Sequence, residues 1–139
     1  MGSLLGEELL RLPVRHKGVR LGLPVDLILD AAGEWVLGVD VLCGGDVHRF
    51  LPLRAAAVLS GEIAVDSALT LLADPEGAFY RKRGATLRSL RGASVERGAE
   101  HGTLRDLVVG PDGEVEGLVV EIGGERVRRP RAGSALRAA

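Results

Sequence analysis

The stretch GTLRDLVVGPDGEVEGLVVEIGGE, residues 102–125, has a counterpart earlier in the same 139-residue chain. The counterpart is GLPVDLILDAAGEWVLGVDVLCGGD, residues 22–46. Aligning the two stretches pairs Gly22 with Gly102, Asp26 with Asp106, Leu27 with Leu107, Gly33 with Gly113 and Glu34 with Glu114. The first copy then has one additional residue, after which Gly38 pairs with Gly117. The chain therefore contains an internal repeat, and the repeat decides the predicted fold.

Each copy consists of short runs rich in Val, Leu and Ile that are separated by turn-forming residues. In the second copy Pro111 restricts φ, Asp112 can bond the nearby backbone, and Gly113 permits a positive φ. A Gly-Gly pair then separates two further apolar runs, as expected of a hairpin. Each copy is predicted to form a strand, a tight turn, a second strand, a hairpin turn and a third strand. The fold class is therefore all-β.

Strand alternation predicts which side chains face the interior, because residues that flank a two-residue turn lie opposite each other. In the second copy the predicted inner set is Leu118, Val120, Ile122 and Val127, and the outer set is Val119, Glu121, Arg126 and Arg128. In the first copy the predicted inner set is Val39, Val41, Cys43 and His48, and the outer set is Asp40, Leu42, Val47 and Arg49. Leu42 and Val47 then form an apolar pair on an outer face, which makes them a candidate interface between the halves or between subunits. The alternative is that they are ordinary exposed aliphatic residues.

The segments around the two copies complete the predicted domain organisation. Residues 53–59 can form one or two helical turns, and residues 63–72 can add a closing strand. Residues 73–85 combine proline, glycine and charged residues and are typical of a linker. We therefore expect a first module over residues 1–75, a linker over 76–85 and a second module over 86–139. The last residues, after Pro130, are expected to fray.

The residues of the repeat resemble those of the PRC-barrel family. In the second copy the matching residues are Gly92, Val95, Gly102, Asp106, Leu107, Val108, Val109, Gly113, Leu118, Val119 and Val120. In the first copy they are Val14, Gly22, Asp26, Leu27, Gly33 and the FLPL sequence of residues 50–53. The resemblance implies two tandem small β-barrels with one or two short helical turns. Its motifs are structural glycines and apolar strands, so they are specific for fold and weak for function.

The resemblance also implies a function in assembly rather than catalysis. The family is known from the photosynthetic reaction-centre H subunit and from a ribosome-maturation factor that binds a small-subunit ribosomal protein. This chain lacks the membrane helix of the former and the additional N-terminal barrel of the latter. Neither specific role therefore carries over, because a shared fold does not by itself imply a shared function.

The sequence predicts no catalytic, cofactor-binding or metal-binding residues. Cys43, Asp46 and His48 offer a nucleophile, an acid and a base, but the repeat aligns Cys43 and His48 with apolar core positions of the second copy. The three histidines occur in no recognised metal-binding spacing, and the single cysteine can form no intrachain disulfide. We therefore expect a protein that is not an enzyme and that needs no cofactor. Asp26 and Asp106, which recur in both copies, are expected to bond backbone groups near the preceding glycine; a shared site is the alternative.

Two groups of basic residues are candidate contacts for an anion or RNA. The first comprises Arg81, Lys82, Arg83, Arg88 and Arg91, and the second comprises Arg126, Arg128, Arg129, Arg131 and Arg137. Aromatic residues make up only 3% of the chain and the pI is about 6.3, which argues against a dedicated RNA-binding surface. An unidentified protein partner is the first expectation, a homodimer is a second arrangement, and RNA or the ribosome is the alternative partner.

The composition also bears on location. No apolar run is long enough to cross a membrane, and Glu7 and Glu8 lie where a signal peptide would carry basic residues. We expect a cytoplasmic protein that does not insert into a membrane.

Overall fold

The computed structural model describes residues 2–137, and most of these residues belong to β-strands. The strands form two six-stranded sheets, one of which is curled into a half-barrel. The all-β prediction is thus confirmed at the level of fold class. The described residues also form three short α-helices: α1 (Gly6–Leu10), α2 (Glu76–Arg83) and α3 (Leu87–Leu90).

The first sheet is built from the first copy of the repeat and the residues that follow it. Its strands are β2 (Val14–His16), β3 (Val19–Leu29), β4 (Val36–Leu42), β5 (His48–Pro52), β6 (Ala56–Leu59) and β7 (Glu62–Val65). They lie in the order β5-β4-β3-β2-β7-β6, and only β2 and β7 are parallel. Single 3₁₀ turns lie at Leu53–Ala55 and Ala68–Thr70. Residues 53–59 were expected to form one or two helical turns, and they form one, after which Ala56–Leu59 pairs with β7 as strand β6.

The second sheet contains the second copy of the repeat and one strand from the N-terminus. Its strands are β1 (Leu4–Leu5), β8 (Ser94–Arg97), β9 (Glu100–Val109), β10 (Val115–Ile122), β11 (Glu125–Pro130) and β12 (Ala135–Arg137). The order is β11-β10-β9-β8-β12, and β1 pairs with β9. The residues after Pro130 were expected to fray. This prediction is wrong for the residues up to Arg137, because β12 pairs with β8. Residues 138–139 lie outside the described residues.

The strand–turn–strand pattern predicted from the repeat is confirmed in both copies. The turn between β3 and β4 closes when the Gly33 N–H donates to the Asp30 carbonyl (3.0 Å), and Gly33 has a φ of +69°. The turn between β9 and β10 closes in the same way from Gly113 to Gly110 (3.0 Å), with a φ of +92° at Gly113. Positive φ values favour glycine, which explains why glycine recurs at this point.

The short helices α1 and α3 each contact both halves, and we call them the exchanged helices. Helix α1 precedes the first copy and packs on β9 of the second as well as on β3 of the first, and α3 precedes the second copy and packs on β3 of the first as well as on β9 of the second. The strand residues next to each helix repeat this exchange, because Leu5 pairs with Val108 and Thr86 forms a bridge to Ile28. The halves are therefore joined by reciprocal contacts, which give the molecule an internal pseudo-two-fold arrangement.

Asp26 and Asp106 bond the exchanged helices. Asp106, which is only 2% exposed, accepts from the N–H of Leu107 (2.8 Å) and from the N–H of Glu7 at the start of α1 (3.2 Å). Asp26 accepts from the N–H of the next residue (2.9 Å) and from the N–H of Arg88 at the start of α3 (3.0 Å). Both aspartates bond backbone groups as predicted, but the predicted partners near the preceding glycine are wrong, because the donors are the next residue and a helix start in the other half.

A direct junction between the sheets completes the association of the halves. Trp35 at the start of β4 forms a bridge to Glu114 at the start of β10. The Val36 N–H donates to the Gly113 carbonyl, and the Val115 N–H donates to the Glu34 carbonyl, both at 2.8 Å. A single cluster of buried apolar residues extends through both halves, from Leu9 and Val14 to Leu118 and Val120. The apolar area of both halves is thus buried in one core, which suits modules that are each too small to be very stable alone.

The segment predicted as a linker is partly helical. Helix α2 occupies residues 76–83 and packs on β5 at the edge of the first sheet. Leu72, which precedes the predicted linker segment of residues 73–85, exchanges two backbone hydrogen bonds with Phe50 (3.0 and 2.8 Å). The connection between the copies therefore covers the outer edge of β5.

Candidate functional site

The hairpin that links β4 and β5 has a different register from the one predicted. The Cys43 N–H donates to the Val47 carbonyl (2.8 Å), so Gly44, Gly45 and Asp46 form a three-residue loop. Leu42 pairs with His48, and each later pair is displaced accordingly. The second hairpin has the predicted two-residue turn, in which Ile122 pairs with Glu125. Because side chains alternate along a strand, one extra loop residue reverses the face of every residue in β5.

This register corrects the predicted faces of the first hairpin. Val39 and Val41 are buried as predicted, but His48 lies on the opposite face from Cys43. The imidazole of His48 instead contacts the carboxylate of Asp40 (2.9 Å from Nδ1 to Oδ1). On β5, Leu51 lies opposite Val39 and Arg49 opposite Val41, so the prediction that Arg49 lies on the outer face is also wrong. The predicted inner set of the second hairpin is confirmed by its register.

Cys43 and His48 therefore do not form a catalytic pair. Cys43 is half-buried, and its thiol lies 3.6 Å from the Val41 carbonyl oxygen. Burial raises the pKa of the Cys43 thiol and is the largest effect on it. The charge of Arg49 lowers this pKa by a smaller amount, and the charge of Asp40 raises it by a still smaller amount. A raised pKa leaves less of the reactive thiolate at neutral pH.

The candidate interface pair is separated for the same reason. Val47 is 50% exposed, whereas Leu42 is partly buried and lies on the other face of the hairpin, opposite His48. The prediction that they share an outer face is wrong. A contact role for either residue alone stays a prediction.

The first basic group is divided between α2 and the region of α3. Arg81 is largely covered and donates to Asp74 Oδ1 (3.0 Å) and to the His48 carbonyl (3.2 Å). Arg83 lies over the ring of Phe79, 4.5 Å from its centre. The remaining members, Lys82, Arg88 and Arg91, are exposed. The group therefore has one structural member and is not a single uniform patch.

Several members of the second basic group are also paired. Arg129 forms a two-pronged pair with Glu100 (2.7 and 3.0 Å), and this pair lowers the pKa of the Glu100 carboxyl through the hydrogen bond from Arg129. Arg131 donates to the carbonyls of residues 32, 33 and 134, and Arg137 contacts Glu96. Arg126 and Arg128 are exposed, and neither forms an ion pair with any other residue between 2 and 137.

A surface that the sequence did not indicate lies where α2 packs beside Phe50 of β5. Phe50 stacks on Tyr80 of α2, with ring centres 4.6 Å apart, and Phe79 meets Tyr80 edge-on at 5.4 Å. Trp35 lines the same groove. The groove has a volume of about 410 Å³ and is lined by Trp35, Val36, Leu37, Phe50, Pro52, Leu53, Arg54, Tyr80 and Asp112. We call the exposed residues Trp35, Leu37, Phe79 and Tyr80, which are 39–50% accessible, the aromatic surface.

The low aromatic content concealed this surface, because its residues come from two distant segments, 35–37 and 79–80, which converge only when α2 packs on β5. The repeat offers one signal. Leu37 occupies a β-bulge whose counterpart in the second copy is Glu116, and Phe50 occupies a position whose counterpart is Arg128. The second half folds with polar residues at both positions, so the fold itself does not require apolar ones.

The chain matches none of the protein-family models and none of the curated proteins with which it was compared. The described residues contain no group of three or more side chains that could hold a metal ion. Between residues 2 and 137, no helix is long and apolar enough to cross a membrane.

Proposed function

We propose that the protein is a non-enzymatic assembly module, in which two PRC-barrel-like halves form one rigid platform and present the aromatic surface to another protein. The observation that carries the proposal is the difference between the two halves. In the first half Leu37 is exposed where the second half has Glu116, and Phe50, which is buried and stacks on Tyr80, stands where the second half has Arg128. Exposed aromatic residues in a concave site are typical of the energetic centre of a protein interface.

The charges beside the groove favour a protein partner. Arg54 and Asp112 line it, and Glu76 lies beside Phe79 and Tyr80. A mixture of both signs complements the mixed charges of a protein surface, whereas phosphate groups favour a surface of one sign.

An RNA-associated function is the second candidate, and one observation favours it. Helix α2 carries Phe79 and Tyr80 beside Lys82 and Arg83, so aromatic rings and cations are closer together than the composition indicated. Stacking rings combined with cations are the usual elements of a single-strand binding surface.

The test replaces residues of the aromatic surface and measures binding to an identified partner. Partners would be cross-linked in extract from the source cells, identified by mass spectrometry and then purified. Leu37→Glu introduces the residue type that the second half carries at the same bulge, and Trp35→Ser removes an exposed ring. Each variant is expected to raise the Kd for the partner about tenfold or more.

The matched control is Leu69→Ser, because Leu69 is 88% exposed and lies outside the groove. It should leave the Kd unchanged. Equal binding by Leu37→Glu, Trp35→Ser and wild type would refute the proposed surface. Binding of single-stranded RNA that falls steeply with salt and is lost in Lys82→Glu would favour the second candidate. Light scattering on the same samples would test the homodimer prediction.

A further inference from the structure

The outer edge of β11 is one of the edges of the second sheet that no described strand covers. β11 is the last strand in the sheet order and pairs only with β10. In a hairpin with a two-residue turn, the flanking residues Ile122 and Glu125 exchange hydrogen bonds, and bonding then alternates along the strands. The backbone N–H and C=O groups of Arg126 and Arg128 therefore point away from β10. The Arg128 carbonyl accepts from Nη1 of the neighbouring Arg129 (2.9 Å), a bond that an added strand would replace. Pro130, which has no N–H, lies at a position of the same parity, as this pattern requires.

The first half shows how this edge can be occupied. Pro52 and Pro130 pair with the equivalent glycines Gly38 and Gly117, so Phe50 is the counterpart of Arg128. Phe50 exchanges both of its outward backbone hydrogen bonds with the extended residue Leu72. The same edge thus accepts an extended segment in one half, whereas within residues 2–137 no segment does so in the other half.

The charge on β11 specifies the segment that would fit. Arg126 and Arg128 lie on the same face of the strand, and both are exposed. On that face of β10, the acid opposite Arg126 is Glu121, which already bonds Arg105 (3.2 Å). An added strand with acidic residues at alternate positions would place them next to both arginines. A second β11 would instead bring arginine next to arginine, which disfavours a dimer through this edge.

We propose that the outer edge of β11 binds an extended acidic segment of a partner protein as an additional strand. Backbone hydrogen bonds to Arg126 and Arg128 would set the register, and the two guanidinium groups would select acidic side chains. This edge contains no residue of the aromatic surface, so the inference can be tested independently of the proposed function.

The experiment uses the full chain and the probe peptide acetyl-Thr-Glu-Val-Glu-Val-Glu-Thr-amide. We expect saturable binding by isothermal calorimetry, together with slower amide exchange at residues 126 and 128 by NMR. Two control peptides separate the contributions: one carries N-methyl groups on alternate backbone nitrogens, and the other carries Lys in place of Glu. Each should bind about tenfold more weakly or worse, because the first loses backbone bonds and the second loses charge complementarity.

Protein variants locate the site. Arg128→Glu should weaken peptide binding about tenfold or more, while Arg20→Glu, the same change at an exposed arginine of the first sheet, should not. Leu37→Glu should bind the peptide as wild type does. No binding of the probe at millimolar concentration, equal binding of the N-methylated peptide, or tighter binding of oligouridylate than of the peptide would each overturn the proposal.

Discussion

Replacing Asp106 by alanine tests whether the two halves are held together by their exchanged helices. The carboxylate of Asp106 is buried and accepts from the backbone N–H groups of Leu107 and Glu7. Alanine has no acceptor, so the buried N–H of Leu107 and the partly buried N–H of Glu7 would both lose their partner. An unpaired buried donor costs about 1–3 kcal/mol, so the free energy of unfolding should fall by about 2–6 kcal/mol. This is a large share of the ~5–15 kcal/mol that is typical of a domain.

Guanidinium chloride unfolding, followed by circular dichroism, would measure the loss. Asp26→Ala is the matched variant, because Asp26 makes the equivalent two bonds but is only partly buried. Its loss should be smaller, since water can reach the donors that it leaves. Asp106→Asn keeps one carbonyl acceptor and should recover part of the stability.

Hydrogen exchange distinguishes the exchanged arrangement from a general loss of stability. In Asp106→Ala, protection should fall first in residues 4–10, and in Asp26→Ala it should fall first in residues 85–91. Each change would thus loosen the helix that lies in the other half of the sequence. A loss below about 0.5 kcal/mol for Asp106→Ala, or loosening confined to the half that carries the mutation, would refute the reasoning.

Three further predictions concern single sites. Arg129 lowers the pKa of Glu100, so wild type should be more stable than Glu100→Gln above pH 4.5, the ordinary pKa of the carboxyl group. This difference in stability should vanish as the pH falls through the lower pKa of the folded state. Urea unfolding from pH 7 to pH 3 measures the difference, and a constant value would contradict the prediction. Burial raises the pKa of Cys43, so thiolate absorbance should develop at higher pH in the folded protein than in guanidinium, and coincident titrations would contradict this. A methyl group on Gly38 would collide with a backbone oxygen, whereas on Gly117 its nearest neighbour would be 3.1 Å away, so Gly38→Ala should cost about 1–3 kcal/mol and Gly117→Ala clearly less by thermal unfolding.

Strands and turns could be predicted because their causes are local. Alternating apolar residues and glycines of positive φ identified β9, β10 and β11, and the two-residue turn at residues 123–124 predicted the register of that hairpin. The same rule failed at residues 44–46, because a two-glycine sequence is compatible with both a two-residue and a three-residue loop. The face of His48 depended on that one residue. The contact between His48 and Asp40 therefore could not be predicted from the alternation of apolar and polar residues.

The sequence alone indicated the repeat, the all-β class and a backbone role for the paired aspartates, since each depends on neighbouring residues or on comparison of the two copies. Only the tertiary structure decided that α1 and α3 each contact both halves, that the aspartates bond the starts of these helices, that α2 covers the edge of β5, and that Trp35, Phe50 and Tyr80 meet at one groove. These features join segments that are far apart along the chain, such as Trp35 and Tyr80. Such contacts form because together they bury apolar area and pair backbone groups that neither half can satisfy alone.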